Sequence, residues 1–241
     1  MNILFAWVIP YIVILLFLGG MILRILSWLK IPVPFKLTVF PCPQTGAGVA
    51  ADFVKESVGF RSLWRGEKSL WFMSALFHLS LAFILIGHFF GIGFLGQQFT
   101  WLGASSETSL NLSVLFGTYA GAALLLGLLL LTIRRIGSPT MKFISSFADY
   151  LVLVLLLGIV GSGMYMRLFH EVTYEAVQTY LIGLLTFHPV PFPDNMAFIF
   201  HFTLVQLLLL YFPYSKLMHS CGLFISRWLI VRPHERQVIL K

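Results

Sequence analysis

The chain has 241 residues, 59% of them hydrophobic and only 10% charged, with a net charge of +7 and a mean hydropathy of +0.91. That leaves too little polar surface to solvate a globular domain of this size, which excludes a soluble enzyme. The positive charge is confined to particular loops, so it reads as a topology signal and not as a nucleic-acid-binding surface.

Five apolar segments follow one another at roughly 4–29, 71–95, 110–133, 149–166 and 197–218. Each is near the ~20 residues that a helix needs to cross the hydrocarbon core. They are continuously apolar, without the alternation of a membrane β-barrel, so helices are expected. The fold class is therefore all-α: an integral membrane bundle of five transmembrane helices, with residues 1–241 forming one membrane domain.

The first segment carries no basic residue before Arg24 and no small-residue cleavage site follows it, so it is read as a membrane helix and not as a signal peptide. Residues 30–70 form the largest polar piece, a loop containing Lys30, Lys36, Lys55, Arg61, Arg65 and Lys68. Its Pro-rich PCPQ run, with Cys42, reads as turns. An interfacial helix near 49–64 is expected to carry Phe53, Phe60 and Trp64. The second segment contains His78 and His88, and the third contains Gly117, Gly121 and Gly127 before Arg134, Arg135 and Lys142. The glycines suit close approach of a backbone or a macrocycle, or ordinary small-residue helix packing. After the fourth segment come Arg167, His170, Glu171, Glu175, His188 and Asp194 in a loop broken by Pro189, Pro191 and Pro193. The fifth segment holds His201, Pro213 and His219, followed by a basic tail with Cys221 and His234.

Fifteen of the 16 basic residues fall on one side of this arrangement, and Arg167 alone falls on the other with Glu107, Glu171, Glu175 and Asp194. The positive-inside rule then puts the N-terminus outside, and the 30–70 loop and the C-terminus in the cytoplasm. Cys42 and Cys221 share that reducing side, where a disulfide is not expected.

Imidazoles inside apolar segments require an explanation. His78 and His88 are ten residues apart, about 15 Å along a helix, and His201 and His219 are eighteen apart, five turns and about 27 Å. The two segments run in opposite directions, so His88 matches His201 in depth toward the outside and His78 matches His219 toward the cytoplasm. Pro213 offers a kink to absorb the unequal spacings. Each pair suits a haem b held between two imidazoles, a six-coordinate electron carrier with no open site. Two of them make an electron path across the membrane. The other reading of buried histidines is a proton relay in a cofactor-free transporter or scaffold. His170, His188 and His234 lie among loop or tail residues and are not expected to be ligands.

Three stretches, LFHLSLAFILIGHFFG, IRRIGSP followed by ADYLVLVLLL, and MAFIFHFTLVQLLLLYFPYSKLMH, resemble the cytochrome b gamma subunit of respiratory nitrate reductase. The resemblance covers four of the five segments, from Trp71 to His219. It implies a five-helix protein with two haem b groups ligated by His78, His219, His88 and His201. It further implies quinol oxidation near the outer haem and electron delivery to a cytoplasmic iron–sulfur subunit, in a bacterial or archaeal cytoplasmic membrane. The long loop, with VPFKLTVFPCPQ and FRSLW, is more similar to the membrane cytochrome of the Dsr complex of dissimilatory sulfur metabolism. That branch implies further membrane and periplasmic redox subunits and exchange with quinone or menaquinone. No terminal catalytic residue is expected in this chain. Gly87 is expected at the wall of the quinone pocket with Glu107 as proton acceptor, and Arg134 and Arg135 at the inner haem's propionates or simply anchoring the helix end.

Overall fold

The computed structural model describes residues 4–30, 43, 45–169 and 172–231, and every described element is helical. Cys42, the 31–42 stretch of the long loop, His170, Glu171 and the tail with His234 lie outside the described residues. A π-helical turn, Leu4–Val8, leads into α1 (Ile9–Lys30). The long loop contains α2 (Gly46–Ser57) and α3 (Arg61–Gly66), followed by α4 (Lys68–Gly93) and α5 (Ser106–Gly137). Then come α6 (Pro139–Ile144), α7 (Phe147–Phe169), α8 (Tyr174–Thr186), α9 (Met196–Tyr211) and α10 (His219–Val231).

Five helices are long and apolar enough to cross a membrane: Leu4–Lys30, Lys68–Gly93, Ser106–Gly137, Phe147–Phe169 and Met196–Tyr214. These are the five expected segments, each shifted by a few residues at its ends. Their large apolar side chains face outward, Leu15 and Leu23 each 70% exposed, as lipid-facing positions require. The expected single helix at 49–64 is instead two. Phe60 takes a left-handed backbone conformation (φ 48°) between α2 and α3 and breaks the helix there.

The spans pack in the order α4, α5, α7, α9, α1. Phe77 of α4 and Leu124 and Leu128 of α5 form a core against which Leu153, Leu156 and Val160 of α7 are packed. Gly127 lets α4 and α5 close: a Cβ there would stand 2.9 Å from the backbone N of Phe77 and 3.0 Å from its Cα. Backbone cannot swing aside as a side chain can. Gly127→Ala is therefore expected to cost about 1–3 kcal/mol of stability, read as a lower melting temperature by circular dichroism in detergent. Gly137→Ala, where nothing lies within 4 Å, is the control that leaves it unchanged. Gly117 and Gly121 likewise seat Arg167 and Met164 of α7, so all three α5 glycines serve protein packing.

α8 closes the end of the bundle away from the basic residues. Gln178 Nε2 donates to the carbonyls of Ile92 (2.8 Å) and Gly93 (2.9 Å) on α4, and Tyr11 on α1 donates to Leu184 O at 2.7 Å. Tyr180, fully buried among Trp7, Phe192, Phe198 and Phe202, donates its hydroxyl to Ala6 O. Burial pushes that phenol's pKa upward, which keeps it a donor.

One expectation needs correction. Residues 201–219 are not one continuous α-helix, because α9 stops at Tyr211 and two 3₁₀ turns, Phe212–Tyr214 and Lys216–Met218, precede α10. Pro213 lacks the N–H that a helix interior needs, and it is buried against Gly20 of α1. The five-turn register between His201 and His219 therefore does not hold, and the break at Pro213 re-aims the chain that carries His219.

Candidate histidine pairs of the membrane span

α4 and α9 carry three of the four histidines, yet among the described residues they are not one of the packed helix pairs. The histidines meet across the space between them. His78 and His219 have ring centroids 6.0 Å apart and planes at 89°. His78 and His219, matched by depth in the sequence, are neighbours in the structure.

All four rings are oriented the same way. Nδ1 lies 2.8 Å from Ser74 O for His78, 2.8 Å from Ile84 O for His88, 3.0 Å from Ile159 O for His201 and 2.8 Å from Lys216 O for His219. A carbonyl only accepts, so each Nδ1 carries the proton and donates it. Each Nε2 is then left with a free lone pair, the state in which imidazole ligates a metal. For His201 the holding group belongs to another helix, α7, where Ser162 Oγ also lies 3.0 Å from Nδ1. Gly163 opens the space for the ring, since a Cβ there would stand 3.3 Å from His201 Cε1.

Haem fits this donor set. Two imidazoles bound to one iron through bonds of about 2 Å hold their ring centroids about 6 Å apart, which is the separation of His78 and His219. Phe60 packs its ring 5.4 Å from that of His78, tilted by 41°, from the loop side. Gly87 is exposed, with nothing within 4 Å of where a Cβ would stand, which leaves room for a flat ring beside His88. His188, expected not to be a ligand, is exposed beyond the end of α8, with Nδ1 2.8 Å from Thr186 O.

Comparisons with known proteins show the family of the chain. Residues 61–237 match the nitrate reductase gamma subunit family. This is nearly three-quarters of the chain and includes all four histidines. The chain belongs to the nitrate reductase gamma subunit family. It is 32% identical over 262 residues to the Hdr-like menaquinol oxidoreductase cytochrome b-like subunit of Archaeoglobus fulgidus, covering 93% of this chain and 78% of that protein. The corresponding subunit of Archaeoglobus profundus is 28% identical over 91% of this chain and 76% of its own length. The respiratory nitrate reductase 1 gamma chain of Escherichia coli is 31% identical over 163 residues, 64% of this chain and 72% of that one.

In this member of the gamma family the two arginines that follow α5's apolar stretch are engaged with acids. Arg134 donates to Glu67 at 2.8 Å, a bond that holds the Glu67 carboxyl below its ordinary pKa. Arg135 lies 3.6 Å from Asp149 and donates to Ser145 at 2.9 Å. These contacts are those of helix-end anchors. Asp149, almost fully buried, also accepts from Lys216 Nζ at 2.8 Å, and Lys216 supplies the carbonyl that holds His219. Sequence reasoning missed Asp149, Ser162 and Gly163. Asp149 had one signal, an acid at the start of an apolar run. Ser162 and Gly163 had only the small-residue run GSG, which looks the same in any tight helix contact. Cys221, the one free cysteine among the described residues, has no acidic or histidine cluster around it.

Proposed function

We propose that this chain is the dihaem b membrane subunit of a quinone-linked redox complex, exchanging electrons between menaquinone or another quinone and a cytoplasmic iron–sulfur partner. The observation that carries the reading is the two histidine pairs, every ring held through Nδ1 by a carbonyl with Nε2 left free. His78 and His219 hold the inner haem and His88 and His201 the outer one. Each haem, when bound, supplies one-electron transfer without an open coordination position.

The chain's own work is to fix the four imidazoles, to keep the space between α4 and α9 clear, and to handle protons at the quinone. Quinol oxidation releases two electrons and two protons. The quinone ring lies beside Gly87 at the outer haem, and Glu107, in the first turn of α5 at the same end, takes a proton outward. Arg134 and Arg135 stand at the inner haem's level, where their pairing with Glu67 and Asp149 leaves propionate contact to remaining N–H groups.

Residues 1–241 act as one membrane cytochrome domain in a bacterial or archaeal cytoplasmic membrane, with the N-terminus outside. Residues 30–70 and the C-terminus form the cytoplasmic docking face for the iron–sulfur subunit, in agreement with the basic residues there. The Dsr type is preferred, with other membrane and periplasmic redox subunits. The Dsr preference rests on the long loop, with VPFKLTVFPCPQ and FRSLW; the reach of the similarity supports the menaquinol link, since relatives named as Hdr-like menaquinol oxidoreductase subunits align along more than nine-tenths of the chain and nitrate reductase gamma chains along under two-thirds. The alternative is a gamma subunit passing quinol electrons to nitrate.

The test is to purify the chain after haem-replete expression and measure haem b per polypeptide by pyridine haemochrome, then add a reduced menaquinol analogue anaerobically. Two haems, reduced by the quinol, are expected. A colourless protein removes the cytochrome reading and leaves the proton-relay transporter.

A further inference from the structure

Among the described residues, Arg167 is the one Lys or Arg at the end of the bundle opposite the basic loops, and it sits in the last turn of the α7 span. A cation there is costly unless something nearby uses its charge. Its Nη1 donates to the Tyr174 hydroxyl at 2.6 Å, and its guanidinium carbon lies 5.5 Å from the centroid of the same ring. Gly117 of α5 gives the guanidinium its seat, for a Cβ at that position would collide with Nη2. Among the described residues Arg167 pairs with no carboxylate. A guanidinium has five N–H donors, and Tyr174, accepting from Arg167, has its own O–H proton left to give.

The position of this pair relative to the outer histidines gives it a purpose. The Tyr174 ring stands over Gly91, 3.6 Å from where a Cβ would be, and Gly91 is three residues beyond His88 on α4. Gly163, whose missing side chain admits the His201 ring, is four residues before Arg167 on α7. The Arg167–Tyr174 pair therefore lies about one helical turn, roughly 5 Å, beyond both outer imidazoles and offers two kinds of donor there.

We propose that Arg167 and the Tyr174 hydroxyl form the seat for a propionate carboxylate of the haem held between His88 and His201. This rests on the dihaem reading above. Arg167 thereby acts as a positioning residue that both orients the outer haem and raises its affinity for an electron, since a fixed cation beside the macrocycle favours the reduced form.

The experiment is a potentiometric titration of the α-band of the purified chain, comparing wild type with Arg167→Gln, Arg167→Lys, Tyr174→Phe and Gly117→Ala. In Arg167→Gln one haem is expected to become about tenfold harder to reduce, a downward shift of about 59 mV for a one-electron couple, while the other stays where it was. Arg167→Lys keeps most of the wild-type potential. Tyr174→Phe shifts the same haem by less, and Gly117→Ala, which retains the charge but displaces it, shifts it in the same direction. If Arg167→Gln does not accumulate, Gly117→Ala and Tyr174→Phe decide alone. Two haems with both potentials unmoved overturn the proposal, as does a raised KM for menaquinol with unmoved potentials, which would make the pair a quinol contact. A wild-type chain without haem would instead defeat the dihaem reading on which the proposal stands.

Discussion

His88→Ala is expected to leave about one haem b per chain, and His219→Ala is expected to leave about one as well, but the other one. In the first variant His201 keeps its cross-helix hold on α7, through Ile159 O and Ser162 Oγ, yet has no opposite imidazole. In the second, His78 loses the ring 6.0 Å away and keeps, among the described residues, Phe60 and Phe77 as ring neighbours. Removing a hydrogen-bond partner of a ligand already costs about 10–100-fold in metal affinity, so deleting the ligand is expected to cost more than about a hundredfold. Pyridine haemochrome counts the haems. Low-temperature difference spectra of each variant, and of the double variant, tell which one remains. The sum of the two single-variant spectra should reproduce the wild type, and the double variant should be colourless. If either single variant loses both haems, the rings are not paired as neighbours and the assignment of two independent sites fails.

The sequence carried the spans and the nearness of His78 to His219 because both rest on strong, local signals. A run of some twenty apolar residues has one stable backbone answer in lipid, and an imidazole inside such a run is rare enough to stand out. The pairing by depth needed only the direction of each helix. What the sequence could not carry was how the rings are held. His201 depends on Ile159 and Ser162, about forty residues away on another helix, and no spacing within one segment shows that contact. The eighteen-residue step from His201 to His219 read as five turns of helix because Pro213 was treated as a kink, where it ends the helix and hands the chain to 3₁₀ turns. α8 was missed for a related reason. Its polar Gln178 and Tyr180 side chains fasten it to α4 and to the π-helical turn ahead of α1, and that fastening is tertiary. Phe60, read as one apolar residue of an interfacial helix, sits at the break between two helices with its ring against His78.

Asp149→Ala is expected to release the inner haem selectively, because three separate sequence runs converge on that one carboxylate. IRRIGSP brings Arg135 to 3.6 Å, ADYLV brings Asp149 itself, and FPYSK brings Lys216 to 2.8 Å. Lys216 is thus tied by its side chain to α7 while its backbone carbonyl holds His219 Nδ1 at 2.8 Å. Asp149 also accepts from Ser146 N and Ser146 Oγ, at 2.9 and 3.1 Å, where α7 begins. Breaking a fully buried ion pair costs about 3–5 kcal/mol. Lys216 is 73% exposed, so screening reduces its share and about 1–3 kcal/mol is expected here. With that tether gone, the turn ahead of α10 no longer fixes the direction of the His219 ring. Haem content should fall toward one per chain, with the outer haem's spectrum intact, and melting should begin at lower temperature. Asp149→Asn separates the two parts of the effect. It keeps an oxygen for Ser146 but gives up the charge that Lys216 and Arg135 share, so it is expected to retain more of the stability than of the inner haem's occupancy. Two haems with unchanged low-spin spectra in both variants would show that His219 is held by its own turn alone. Loss of both haems together would make Asp149 a support of the whole bundle.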